Sequence, residues 1–169
     1  MKTMKIALLF ILVIISFTAY SQNTVKIRQV DSLVKLINSS NFKIQRDSLK
    51  QEHPEYGYSG RTYLTMITDG NELKKYVNSV HATTVNNGTT KKMDAENSFY
   101  FDHNKLIKVE EFAMEGDKKF DVQWYYADDR PLYNTLKSDK GQDRADFLLT
   151  MSKSFIETFK KHTVAPVTN

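Results

Sequence analysis

Phe120-Asp121-Val122-Gln123-Trp124-Tyr125-Tyr126 decides the fold. Phe120, Val122, Trp124 and Tyr126 alternate with Asp121, Gln123 and Tyr125, and that period of two belongs to a strand with one face buried. Working outward, Phe99-Tyr100-Phe101, Leu106-Ile107-Lys108-Val109 and Thr62-Tyr63-Leu64-Thr65-Met66-Ile67-Thr68 read as further strands. Phe42-Lys43-Ile44 reads as a short edge strand. Asn87-Gly88, between Thr83-Thr84-Val85 and Thr89-Thr90, is a tight hairpin signal. Residues 69–82 fit two readings. Leu73, Tyr76, Val77 and Val80 suit a helix, but the threonine-rich hairpin that follows favours a strand.

Helical periodicity brackets this region. Ile27, Val30, Val34 and Ile37 recur three or four apart, predicting an amphipathic helix over 25–39 with Lys26, Arg28, Asp31 and Lys35 on its polar side. Leu148, Met151, Phe155 and Phe159 do the same over 143–161. There Asp143 and Asp146 suit the positive end of the helix dipole, and Lys160, Lys161 and His162 the negative end. The expected architecture is α+β: an antiparallel meander of five to seven strands, with the N-terminal and C-terminal helices packed on one face.

Asp69-Gly70-Asn71-Glu72-Leu73, Asp102-His103-Asn104-Lys105-Leu106 and Asp128-Asp129-Arg130-Pro131-Leu132 share Asp-x-x-x-Leu, an Asp-rich turn followed by a core leucine. Through Tyr100-Phe101-Asp102-His103-Asn104-Lys105-Leu106 the chain resembles small exported bacterial proteins of unknown function built from Tyr-x-Asp-Gly-x-x-Leu hairpins. His103 stands where that pattern has Gly; Ile67 and Asp129 are the departures in the other two copies. The resemblance spans 60–135 and implies a hairpin architecture, not a reaction.

The N-terminus assigns a destination. Lys2 and Lys5 precede an apolar run over 6–17, and Ala19-Tyr20-Ser21 ahead of Gln22 puts small residues where a signal peptidase reads. The expectation is a signal peptide over 1–21, cleaved between Ser21 and Gln22. A single exported domain over 22–169, periplasmic or secreted, then remains. Loss of Lys2 and Lys5 lowers the formal charge of +4 by two. So small an excess, with no dense Lys/Arg stripe, argues against nucleic acid as a partner. No second apolar stretch approaches membrane length, so the mature chain is not expected to insert stably in a bilayer. The absence of cysteine from the sequence removes disulfides, thiolate zinc sites and thiol catalysis.

No constellation of catalytic residues emerges. His53, His81, His103 and His162 share no metal-binding spacing, and the glycines form no phosphate-cradling loop. Glu110 and Glu111, adjacent on a strand, point to opposite faces. Gly-x-Ser-x-Gly does not occur. Neither a metal nor a cofactor is called for. What remains is aromatic. If Leu64, Met66, Phe99, Phe101, Val122 and Trp124 face the helices, alternation sends Tyr63, Tyr100 and Tyr125 to the other face, where Arg61, Lys108 and Gln123 join them. Tyr56-Gly57-Tyr58-Ser59-Gly60-Arg61 adds an aromatic loop.

The resulting expectation is a non-enzymatic exported binding module. Its open sheet face, with Arg61, Tyr63, Tyr100 and Tyr125 and the loop residues Tyr56 and Tyr58, would meet a protein, peptide or glycan in the envelope or outside the cell. The alternative is a small periplasmic enzyme or ligand carrier with a pocket between helices and sheet. Buried polar residues, such as His81 with an acidic neighbour, would favour that reading.

Overall fold

The computed structural model describes residues 23–136 and 141–164. The proposed signal peptide and its cleavage site at Ser21 and Gln22 lie outside the described residues. A helix over 23–39, α1, opens the chain. Seven strands follow: β1 (Lys43–His53), β2 (Tyr58–Asp69), β3 (Glu72–Asn86), β4 (Thr89–Asp102), β5 (Lys105–Glu115), β6 (Lys118–Ala127) and β7 (Arg130–Asn134). The helix α2 (Gly141–Val164) closes it. The strands lie in chain order in one antiparallel sheet.

From β2 onward two-residue turns set this order, and their residues are those that tolerate a left-handed backbone. Asn87 and Gly88 have φ of 49° and 75°, the pair of positive values that a type I′ hairpin needs. His103 and Asn104 (50° and 57°) and Asp128 and Asp129 (53° and 58°) make the same turn without glycine. The Asp-x-x-x-Leu repeat is thus turn chemistry, and the segment 69–82 is strand from Glu72 onward.

β1 runs to His53, well beyond the edge strand expected at 42–44. Lys43–His53 is exposed along its whole length, so no buried face stamps an alternation on its sequence. The expected loop around Tyr56 is also mostly regular structure. Pro54–Tyr56 forms one 3-10 turn, and Tyr58 to Arg61 already belong to β2. Gly57 is fixed there at φ 60°, and a Cβ on it would sit 2.2 Å from the Val85 carbonyl oxygen.

The helices lie on opposite faces of the sheet, not on one. Alternation within the strands is as read from the sequence, but both sets of side chains need cover. Phe99, Phe101, Val109, Val122, Trp124 and Tyr126 pack with Ala145, Leu148, Ile156 and Phe159 of α2. Tyr100 and Tyr125 pack with Val30, Val34 and Ile37 of α1. A bulge helps. Tyr100 pairs with Lys108 and Phe101 with Leu106, leaving Ile107 as the extra residue. Ile107 and Lys108 both reach the α1 side as a result.

α2 crosses its face diagonally. The Tyr126 hydroxyl donates to the Ala145 carbonyl near its start. Phe155 stacks on Tyr76, their ring centroids 4.1 Å apart, and Thr158 and Phe159 face β1 and β2 across a cleft. Both helices cover the end of the sheet nearest the 103–104 turn. The strands continue past them.

Candidate interaction surface

Three polar or open features follow from this layout. The first lies beneath α1. Lys108, almost fully buried, places its ammonium 2.9 Å from Asp31 and 3.0 Å from Glu110, over the Tyr125 ring. Burial pulls the Lys108 pKa down, but the hydrogen bonds it donates to Asp31 and Glu110, the charge of Glu110 and the Tyr125 contact outweigh it, so the net shift is upward. The Tyr100 hydroxyl donates to Glu110 at 2.9 Å, and Lys75 sits over the Tyr100 ring. Asp31, on the polar side of its helix by periodicity, turns toward the sheet. Four residues after Ile27 and three before Val34, it borders the buried stripe, and that spacing is the signal that could have placed it over the sheet.

The second polar feature ties α2 down. Glu111, 3% exposed, accepts a hydrogen bond from the Trp124 indole at 2.7 Å and pairs with Arg144. Glu110 and Glu111 do point to opposite faces, each anchoring a different helix. Both sets of contacts fasten a helix to the sheet.

The third is the part of the sheet that neither helix covers. In an antiparallel ladder, directly opposed residues share a face. On the α2 side the register aligns Leu49, Thr62, Val80, Ala95, Ala113 and Phe120 across six strands. Leu49 and Phe120 are exposed. On the α1 side it aligns Ser48, Tyr63, Ser79 and Glu96, with Lys50, Arg61, His81 and Asp94 in the next row. These groups hold one another in place. His81 Nδ1 lies 2.7 Å from Asp94 Oδ1, the Ser79 hydroxyl donates to Glu96 at 2.9 Å, and the Tyr63 ring meets His81 edge-on.

The residues expected to form one aromatic platform therefore divide. Tyr100 and Tyr125 are buried beneath α1, at 1% and 4% exposure, and are not available on an open face. Tyr63 and Arg61 are exposed on that same face beyond the helix. Tyr56 is exposed in the 3-10 turn, while Tyr58 folds over Gly60 on the opposite face. His81, expected with an acidic neighbour if a cavity lay between helices and sheet, does have one in Asp94. The pair stands on the exposed sheet, with the His81 side chain 59% exposed.

One cleft, of about 660 Å³, lies between α2 and the β1–β2 edge. Leu64, Met66, Tyr76 and Phe159 line it, with Lys43 and Asp47 at the strand edge. Among the described residues no cluster of three His, Asp or Glu side chains could hold a metal, and no helix is long and apolar enough to cross a membrane. Compared with known proteins, the chain matches no family model, no curated protein and no solved structure.

Proposed function

We propose that this chain is an exported binding module that docks a protein or peptide on the uncovered part of its sheet, around Arg61, Tyr63 and His81. One observation carries the reading: the strands outrun both helices, and the exposed stretch bears a tyrosine, an arginine and a histidine braced by neighbouring side chains. Tyrosine and arginine combine a flat apolar body with polar ends, and both are enriched where proteins meet. Bracing of His81 by Asp94 and of Tyr63 by His81 lowers the ordering cost of association.

The test is a photo-crosslinking amino acid at position 63, with a second variant carrying it at Tyr133, exposed on the same face but at the β7 edge. The reading expects one saturable envelope or extracellular adduct from position 63 only, lost when Arg61 is replaced by Ser. Equal labelling from both positions, or none, overturns it.

A second reading, a carrier of small ligands, is favoured by the cleft. Its volume falls within the range of small-molecule sites, roughly 300–1,000 Å³. Met66→Trp, which fills the cleft, would abolish uptake of a small apolar ligand and leave docking at Tyr63 intact.

A further inference from the structure

We propose that two copies of this chain pair antiparallel through β1, in the register that sets Leu49 against its own symmetry mate. Among the described residues β1 is the first strand of the sheet and pairs with β2 alone. Its outer edge offers backbone donors and acceptors along Lys43–His53, uninterrupted by proline. The other terminal strand, β7, is short and contains Pro131. A long unpaired edge is a template for another strand, and charges along it decide which one.

Those charges select a copy of the same strand. A two-fold axis perpendicular to the sheet keeps each face continuous, so opposed residues must come from the same face. On β1 one face carries Ile44, Arg46, Ser48, Lys50 and Glu52, and the other Lys43, Gln45, Asp47, Leu49, Gln51 and His53. Each permitted register therefore centres on a single residue. Centring on Arg46, Asp47 or Lys50 opposes that charge to its own copy. Centring on Ser48 opposes Arg46 to Lys50 twice. Centring on Ile44, Gln45 or Gln51 leaves only a short ladder, cut off at the start of β1 or before Pro54.

Centring on Leu49 opposes Arg46 to Glu52 twice, Asp47 to Gln51 and Ser48 to Lys50, with leucine on leucine at the axis. It is the longest register without a like-charge pair. Among the described residues Arg46 enters no ion pair, whereas Glu52 already neighbours Lys50 at 2.6 Å. The ladder ends where Ile44 would face Pro54, which has no N–H to donate. Leu49 also heads the apolar row that ends at Phe120, so pairing joins the two rows across the axis. Charge and ladder length together thus favour this one register. This pairing does not rest on the docking surface proposed above, which it leaves uncovered at Tyr63.

A cysteine-free chain permits a clean test. Asp47→Cys, Ser48→Cys, Leu49→Cys and Lys50→Cys are made one at a time in the purified protein and oxidised. Directly opposed residues fall within disulfide reach, whereas those offset along the strands do not. The expected result is a disulfide-linked dimer from Leu49→Cys far in excess of the other three. In sedimentation equilibrium, Arg46→Glu or Glu52→Arg alone is expected to weaken the dimer about tenfold. The two reversals together should restore it, because the attractive pairs re-form with opposite sign. These side chains are exposed, so the fold survives the changes. Equal crosslinking at all four positions, a double reversal no better than either single one, or a chain monomeric at about millimolar concentration overturns the proposal.

Discussion

At the scale of single residues, two buried charges bind the helices to the sheet, and each makes a distinct prediction. Glu111 is held by Arg144 and the Trp124 indole. Arg144→Ala strands its carboxylate in the interior with one donor left. The expected loss is roughly 3 kcal/mol, the low end for breaking a buried pair, read from urea denaturation, with Arg144→Lys recovering part. Trp124, 1% exposed, packs among Phe99, Val109 and Val122. Trp124→Ala is expected to cost about 3–5 kcal/mol in the same measurement. Alkali attacks a different set. Burial raises the pKa of Tyr76, of Tyr125 and of Tyr126, where the charges of Glu111 and Asp146 add to it. Lys108 is also raised on balance. A raised folded-state pKa means the native protein holds its proton when the unfolded chain has released it. That stability is complete below the ordinary values of 10.0 for tyrosine and 10.5 for lysine, and falls as pH rises above them. Urea midpoints should therefore hold steady up to about pH 9 and drop above about pH 10. Tyr126→Phe should shallow that drop.

At the scale of elements, the two helices differ in what holds them. α2 buries Ala145, Leu148, Ser152, Ile156 and Phe159. α1 buries only Val30, Val34 and Ile37, and rests on a face that mixes the apolar Ile107 and Leu132 with tyrosine hydroxyls and the Lys108 charge. Opening free energies follow the apolar burial an element loses. Amide exchange is therefore expected to be faster through α1 than through the middle of α2, and Val34→Asp should release α1 alone. Enhanced tyrosine accessibility at Tyr100 and Tyr125, with α2 still protected, would be the signature. Both helices were legible as periodic apolar stripes, and their placement was not. A stripe records that a helix buries one face; it carries no address for the surface that receives it. Nor did spacing reveal the bulge at Ile107, because the extra residue has meaning only against the partner strand.

At the scale of the whole molecule, the sheet is larger than the cover its helices provide. The uncovered ends hold together through ladder hydrogen bonds and cross-strand pairs such as Tyr63 with His81. The hairpin tip at Asn87-Gly88 is expected to be cut by a nonspecific protease before any site beneath α1 or α2, as seen by mass spectrometry of the first fragments. Of the residues proposed from sequence for an aromatic platform, Tyr63 and Arg61 keep that opportunity because α1 stops short of them. Tyr100 and Tyr125 lose it to the same helix.

The amino-acid sequence by itself determined the meander, its tight turns, the two helices and the opposed faces of Glu110 and Glu111. All of these depend on interactions between near neighbours: strand alternation, helical period and left-handed turn residues. Tertiary structure alone decided which face each helix covers, that β1 extends to His53 as an exposed edge, and which tyrosines remain in solvent. Those outcomes depend on packing between segments far apart in the chain. Alternation marks the two faces of a strand as different, but only the arriving helix determines whether a face is closed.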